Sequence, residues 1–449
     1  MGERSGSRWK HHVAGRALGV DPGGPHAMNA QARQPARSRI SPDALLDELS
    51  SGGPWLLVQD LDGVCMELVH DPRLRRLDPD YVQAARQLEG RFAVLTNGEH
   101  EGSRGVNRLV EQALAGTADP AAEGLYLPGL GAGGVQLQSR YGQLTHPGVS
   151  QEEVSFLASV PAWLHAALGK RLPALLPAAA QEHRAGLIEM AVLDNPLSPS
   201  LNLNPLMAAV GDEPARRREL QALALELMQA LLEQAAAAGL EESFFLHLAP
   251  NLGRDGSLGG GQERLKPADQ GSSGTTDFQL MLRGGLKEVG LLVLINQCIH
   301  RRTGTAPLGL EFHGRNAPHD HAGLLDLCRS AIDPALMPRL VGVGDTITSQ
   351  PAGAGGGWLR GGSDRGFLTL LQELGDAFGT ANRVVLVDSS GGEVDRPSLA
   401  DGRLEGLSDP EDSLRIDTTM PGGPREYIRW FRALAARQPT DALQASTGS

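Results

Sequence analysis

Trp55 to Val64 reads WLLVQDLDGV, an apolar run that stops at two aspartates, Asp60 and Asp62, with Gly63 directly after them. A short apolar run bounded by turn residues forms a buried strand. Two like charges one residue apart at its end are costly, because each raises the other's pKa. The cost falls when a cation sits between them, and hard oxygen ligands at a water-accessible site suit Mg²⁺. The spacing also suits a reaction. One carboxylate can attack phosphorus and form an aspartyl-phosphate. A second, beyond the strand's last pleat, can protonate the leaving alkoxide and then deprotonate water.

Outward from this strand, SPDALLDELSSGG has a capping serine at Ser41, Pro42 in the first turn and glycines to stop a helix. DPDYVQAARQLEGR predicts an amphipathic helix from about Asp78, and FAVLTNG, Phe92 to Gly98, a second short strand ending in small polar residues. Strand, helix, strand is the unit of a parallel sheet. Gly124 to Gly148 predicts a strand and hairpin. From Gln151 to Gly285 the pattern is mixed, with a long helix in ARRRELQALALELMQALLEQAAAAG, strands in HRAGLIEMAVLDN and ESFFLHLAPN, and a glycine-rich return through DGSLGGGQERLKPADQGSSGTTD. This predicts an α+β insert. The parallel pattern resumes with a helix in GLKEVGLLVLINQCIHRRTG that is apolar nearly all round and therefore buried. PRLVGVGDTITSQ predicts a strand then a loop, with Asp345 at the strand's end, and NRVVLVDSSGG a strand ending at Asp388. Helices in GFLTLLQELGDAFG and PREYIRWFRALAARQ complete the chain. The expected fold is α/β, with a Rossmann-like parallel-sheet core over 41–150 and 286–449 and a cap over 151–285.

With 449 residues the chain can hold a core and a large insert, and its formal charge of −12 lacks the basic footprint of a nucleic-acid binder. The three cysteines, Cys65, Cys298 and Cys328, are far apart and suggest neither a disulfide framework nor a zinc site, which fits the cytoplasm. No apolar run reaches membrane-spanning length. Residues 1–40 are basic, acid-poor and without an apolar core, so they read as a disordered extension, with Met28 as a second candidate start.

The strand ends carry Asp60 and Asp62, then Thr96 and Asn97, then Asp345, and in an open parallel sheet ligands bind beyond those ends. Each short motif alone is also ordinary turn chemistry. In this order, at strand ends, they resemble the haloacid dehalogenase superfamily of phosphohydrolases. DLDGV is similar to its first motif, VLTNG to its second, Lys287 to its third and GVGD, Gly342 to Asp345, to its fourth. The insert falls where that superfamily carries a C2-type cap. The resemblance implies Asp60 as nucleophile, Asp62 as acid and base, Thr96, Asn97 and Lys287 on phosphate, and Mg²⁺ held by Asp60, the Asp62 backbone carbonyl and Asp345. LLVQDLDGVCMELVHDPRLRRLDPDYV, LVGVGDTITSQ and GGSDRGFLTLLQELG look like the glucosylglycerol-3-phosphate phosphatase family, over roughly residues 40–436. That implies hydrolysis of glucosylglycerol 3-phosphate in the making of a compatible solute for salt tolerance, with the corresponding synthase as a partner. Another sugar-phosphate phosphatase, such as one for sucrose phosphate, a phosphotransferase or mutase, and an idle regulator of a synthase are the other readings. The intact Asp60 and Asp62 pair speaks against the last.

The chain departs from the superfamily in lacking a second acid a few residues after Asp345; Asp364 and a water molecule are the candidates to take its place. Lys266 competes with Lys287, but a helix start is the more rigid mount. HGRNAPHDH, His313 to His321, invites a metal reading but has no H-E-x-x-H pattern, and a solvated loop is the preferred reading. Polyol substrates need many directional hydrogen bonds, and Glu182 to Pro205 offers Glu189, Asp194, Asn195, Asn202 and Asn204.

Overall fold

A computed structural model describes residues 39–254, 261–353 and 356–438. The basic stretch ahead of Arg39, with Met28, lies outside the described residues.

The first core segment runs α1 (Pro42–Ser50), β1 (Trp55–Gln59), α2 (Pro79–Gln87), β2 (Phe92–Leu95), α3 (Val106–Ala113), α4 (Pro120–Glu123), β3 (Gly129–Gly131), β4 (Gln136–Gln138) and β5 (Leu144–Thr145). Ser41 and Asp78 cap α1 and α2, Ser41 accepting from the Ala44 N–H and Asp78 from those of Asp80 and Tyr81. The insert holds α5 (Gln151–Arg171), α6 (Arg184–Ala191), β6 (Val192–Leu193), β7 (Ser200–Asn202), α7 (Asn204–Val210), α8 (Pro214–Ala237), β8 (Phe244–Ala249), β9 (Asn251–Arg254), β10 (Glu263–Leu265) and β11 (Asp277–Leu282). The return segment holds α9 (Lys287–Thr303), α10 (His321–Ala331), β12 (Arg339–Gly344), β13 (Thr348–Pro351), β14 (Trp358–Gly361), α11 (Arg365–Phe378), β15 (Arg383–Val387), β16 (Thr418–Met420) and α12 (Gly423–Ala436).

The core is one eight-stranded sheet in the order β16-β15-β12-β1-β2-β3-β4-β5. It is parallel from β16 to β3 and antiparallel from β3 to β5. Its central strands are covered on both faces, which is why β1 reads as a continuous apolar run rather than an alternation. Trp55 and Leu57 pack with α1, α2, α3 and α12, while Leu56 and Val58 pack with α9, α10 and α11. From β1 the chain winds outward to β2 and β3, and the return segment winds the other way through β12, β15 and β16. The border of β1 and β12 is therefore the switch point of the sheet, where a crevice opens beyond the strand ends.

The insert builds a four-stranded antiparallel sheet, β6-β7-β11-β8. Its apolar face, with Leu201, Leu248, Phe278 and Leu280, packs on the insert's helices. The other face is polar. Asn202 and Ala249 both pair with Asp277, and His247 pairs with Gln279 two residues on, so these side chains share it.

Two local readings change. HRAGLIEMAVLDN is helix α6 followed by the short β6, not one strand. Leu187, Ile188 and Ala191 are buried at helical spacing, and Ala, Leu, Glu and Met favour helix over the isolated β-branched Ile188. The segment after Asp345 is not an open loop but the hairpin β13–β14, which packs on β9. Thr348 Oγ1 donates to the Asn251 carbonyl at 2.6 Å, and a Cβ on Gly361 would lie 2.2 Å from the Gly253 nitrogen.

Candidate active site

Strand β1 delivers Asp60 to the switch point. The Asp60 N–H still donates to the Val343 carbonyl of β12 at 3.0 Å, so its backbone is locked to the neighbouring strand. One carboxylate oxygen accepts from the Leu61 N–H at 2.8 Å, and the other meets Lys287 Nζ at 2.6 Å. Lys287 sits on the first turn of the buried helix α9 and is itself buried. Its Nζ also lies 2.7 Å from Asp364 Oδ1. Asp364, fully buried ahead of α11, accepts from the N–H groups of Asp345 and Thr346 through its second oxygen, at 3.0 and 2.9 Å. Asp364 thus ties the ammonium to the loop that carries Asp345. Asp345 accepts from Thr346 Oγ1 at 3.0 Å, and its Oδ2 is buried with no hydrogen-bond partner among the described residues.

Gly63 explains why glycine follows the paired aspartates. Its φ is +77°, and a Cβ there would lie 2.2 Å from Asp345 Oδ2. Only glycine allows both that turn and that approach.

Asp60, Asp345 and Asp364 can each bring an oxygen within 4.8 Å of the others. Three buried carboxylates face the Lys287 ammonium and the charge of the buried Arg396, so acids outnumber bases by one. Burial, opposed by Lys287 and helped by the Asp364 charge, pushes the Asp60 carboxyl up to about 7. Burial, then the charges of Asp364 and Asp60, push Asp345 up to about 8. Burial alone would lower Lys287, but Asp364 and Asp60 outweigh it and hold the ammonium above its ordinary value. This charge deficit, the partnerless Asp345 oxygen and the space at Gly63 fit a hard divalent cation.

Thr96, at the end of β2, is buried, and its Oγ1 accepts from the Gly98 N–H at 3.1 Å. Thr96, Asn97 and the paired aspartates line one cavity of about 150 Å³ together with Asp345. The Asn97 amide is already engaged, 2.8 Å from His247 Nε2 on β8, and His247 Nδ1 lies 3.0 Å from Glu263. Asp62 also lines the cavity, with its carboxylate held by Arg75 Nη1 at 2.9 Å. Lys266 is not among the residues at Asp60; it lines a neighbouring cavity beside Asp395 and Arg396.

The polar face of the insert's sheet roofs this cavity. Asn195 and Asn202 line it, with Asn204, Asp277 and Gln279. Gln279 Oε1 is buried without a partner among the described residues, and burial pushes the Asp277 carboxyl up to about 6. Glu189 and Asp194 do not line it. Asp194 turns outward to pair with Arg104, and Glu189 faces His165. Glu99, just past Asn97, tethers roof to core by accepting from the Leu197 N–H at 2.8 Å and Ser198 Oγ at 2.9 Å.

Arg75, Glu99, Arg104, Asp277, Gln279 and Arg396 are cavity residues that the sequence reading passed over. Asp277 and Gln279 did carry a signal, since TDFQLML alternates polar and apolar as a half-buried strand does. The arginines carry none, because they meet the aspartates only through the fold. In HGRNAPHDH, His313 caps a one-turn helix through the Arg315 N–H at 3.1 Å, which is a structural role. A larger cavity of about 370 Å³ lies in the insert beneath β8, but its lining is mainly apolar and includes none of the aspartates above.

A family model described as glucosylglycerol-phosphate phosphatase matches residues 54–435. The chain is 49% identical over 417 residues to a glucosylglycerol-phosphate phosphatase from Synechocystis sp., covering 90% of this chain and 97% of that one. Among solved structures, the trehalose-6-phosphate phosphatase C-terminal domain of C. albicans matches 90% of this chain and 99% of its own at 10% identity and a TM-score of 0.43. The Aspergillus fumigatus trehalose-6-phosphate phosphatase matches 89% and 99% at 9% identity and a TM-score of 0.36. Neither of these two likenesses is close enough to carry a residue over to this chain. The chain belongs to the glucosylglycerol-phosphate phosphatase family.

Proposed function

We propose that this member of the family hydrolyses glucosylglycerol 3-phosphate, with the phosphate beside Asp60 and the glucosyl unit under the polar face of the insert's sheet. The observation that carries the chemistry is the convergence of Asp60, Asp345 and Asp364 on Lys287 at the switch point of the sheet. Family membership supports the substrate.

In the reaction, an Asp60 carboxylate oxygen attacks phosphorus, and the ester bond to the glycerol oxygen breaks as the new O–P bond forms. Asp62 gives its proton to the departing oxygen. It then takes one from water, which attacks the aspartyl-phosphate, releases phosphate and frees Asp60. Lys287 keeps the nucleophile oriented, and Thr96 and the Asp62 N–H face the phosphate oxygens, the Leu61 and Gly63 N–H groups being engaged by the Asp60 carboxylate and the Met66 carbonyl. Asp60, Asp345 and the Asp62 backbone carbonyl would hold Mg²⁺, with Asp364 fixing the Asp345 loop. Bound there, the ion neutralises the carboxylates and the incoming phosphate charge. Asn195 and Asn202, with Asn204, Asp277 and Gln279, offer donors and acceptors to sugar hydroxyls.

The three cysteines are buried and free, and among the described residues no helix is long and apolar enough to cross a membrane. A cytoplasmic enzyme fed by the synthase that makes the phosphate ester is the corresponding cellular reading. Phosphate release from a panel of phosphorylated sugars and glycosides tests the function. Preference for sucrose phosphate or for trehalose phosphate would replace the substrate, and no release from any monoester would leave an idle member of the family.

A further inference from the structure

Asp62 must aim a proton at the leaving oxygen, yet its carboxylate is held from outside the strand that carries it. Arg75 follows the one-turn helix Pro72–Leu74 between β1 and α2. Its Nη1 donates to Asp62 Oδ2 at 2.9 Å and Oδ1 at 3.2 Å, and its Nε donates to the Pro72 carbonyl at 3.0 Å. Its Nη2 donates to the backbone carbonyl of Arg104. Arg104 in turn grips the insert, with Nη1 on the Asp194 carboxylate and Nη2 on the Glu189 carbonyl at 3.0 Å. Ser103 Oγ adds a contact to Asp194 at 3.0 Å.

We propose that Arg75 is a positioning residue that sets the aim of Asp62 according to the place of the cap, read through Arg104 and Asp194. The inference rests on the phosphatase reading above. Contacts run without a break from the cap's 189–194 segment to Arg104, from its carbonyl to Arg75, and from Arg75 to both Asp62 oxygens. The two arginine side chains are buried, while Asp62 and Asp194 at the two ends of the chain of contacts are 34% and 52% exposed, so solvent reaches the ends and not the middle. A carboxyl whose two oxygens both lie on one guanidinium nitrogen, Arg75 Nη1, is drawn along when that nitrogen moves. When the sugar end of a substrate shifts the cap, Arg104 and its carbonyl shift, and Asp62 is re-aimed. Binding energy from the non-reacting sugar thereby appears in the chemical step.

The test uses the full chain with Mg²⁺ and two esters, glucosylglycerol 3-phosphate and p-nitrophenyl phosphate. The nitrophenolate leaves without needing a proton and has no sugar to place the cap. kcat/KM reports the steps through transfer to Asp60 and excludes the later attack of water. Arg75→Lys keeps the charge but cannot span Asp62 and the Arg104 carbonyl together. It should lower kcat/KM for the sugar ester at least tenfold and for the nitrophenyl ester far less. Asp194→Asn, at the exposed end of the chain of contacts, should lower the sugar ester about threefold and spare the other, and it keeps the idea testable if Arg75→Lys folds poorly. In the Asp62→Asn background, Arg75→Lys should cost nothing more, because its effect passes through Asp62. Equal losses for both esters, additive losses in the double variant, or an Asp194→Asn protein indistinguishable from wild type would overturn the proposal while leaving a phosphatase. A wild-type protein that releases phosphate from neither ester would overturn the reading beneath it as well.

Discussion

The Lys287 ammonium stands 2.6 Å from Asp60, 227 positions earlier in the chain. With Asp364 on its other side, it joins the ends of β1 and β12 to the start of α9. Removing one partner of a buried ion pair costs about 3–5 kcal/mol, because the other charge stays buried alone. Lys287→Met should therefore lower the unfolding midpoint clearly and also abolish most phosphate release. Wild-type stability together with wild-type turnover would show that the contact is idle.

Asp60→Asn should fold and fail to turn over. A neutral amide cannot form the acyl phosphate, so the loss should far exceed the roughly 10²- to 10⁴-fold typical of losing acid–base help alone. The measurement is steady-state phosphate release by the pure variant. Appreciable release would place the nucleophile elsewhere.

The partnerless Asp345 oxygen gives a test that needs no turnover. A ligand that binds only the folded state stabilises it by about 2.7 kcal/mol at a hundred times its Kd. Mg²⁺ added to chelator-treated protein should raise the melting temperature, and Asp345→Asn should remove most of that rise. An equal rise in both proteins would put the ion at another site. Activity should fall in excess chelator and return with Mg²⁺.

How much of this was readable in the sequence divides along a physical line. The strands ending at Asp60, Thr96 and Asp345 were legible because each is a short apolar run stopped by small polar residues, and their order gave the parallel sheet. Lys287 was legible because it opens a helix with no polar face. Asp364 was readable only as a candidate, since nothing near it in the chain says that it meets Asp345 and Lys287. In the insert, Asn195 and Asn202 reach the cavity, but Glu189 and Asp194, from the same stretch, do not. Which side of a segment faces a cleft is set by packing, and the helical α6 turned that segment differently from the strand expected there. Asp277 and Gln279 stayed hidden behind a glycine-rich stretch, although their alternation was in plain sight.

Glu99 should impress a pH slope on stability. Burial pushes its carboxyl up to about 7 from 4.5, against the bonds from Leu197 and Ser198 that favour the ionised form. The folded value lies above the unfolded one, so the stability it contributes is fully present below about pH 4.5 and is lost as pH rises through about 7. Glu99→Gln cannot ionise and lacks that slope. Whatever the constant effect of the substitution, the variant should gain on wild type from pH 5 to pH 8, by at most about 3 kcal/mol. Burial holds His100 down to about 4, but that titration is common to both proteins and cancels in the comparison. Denaturant unfolding at several pH values measures it. A difference that stays flat across the range would contradict a raised Glu99.

The last expectation concerns which end of the substrate is read. Asn202 and Asp277 are paired across β7 and β11, and Gln279 lies two residues further along the same face, over the cavity. The buried Gln279 Oε1 has no partner among the described residues, and a hydroxyl donor from a sugar would give it one. A site built to bond hydroxyls rejects an analogue that lacks them, because its own polar groups are left unpaired. Glucosylglycerol 3-phosphate should therefore be hydrolysed much faster than glycerol 3-phosphate at equal, subsaturating concentration. Gln279→Leu should narrow that gap by lowering kcat/KM for the glucosyl ester about tenfold or more, while changing the glycerol ester less than about threefold. Asn202→Ala should act in the same direction. Its effect should be complicated by the loss of the bond that its side-chain oxygen accepts from the Asn204 N–H at 2.9 Å. Comparable kcat/KM for the two esters in the wild-type protein would mean that the glucosyl unit is not read at all. A Gln279→Leu protein that loses equally on both would move the recognition of the sugar away from β11.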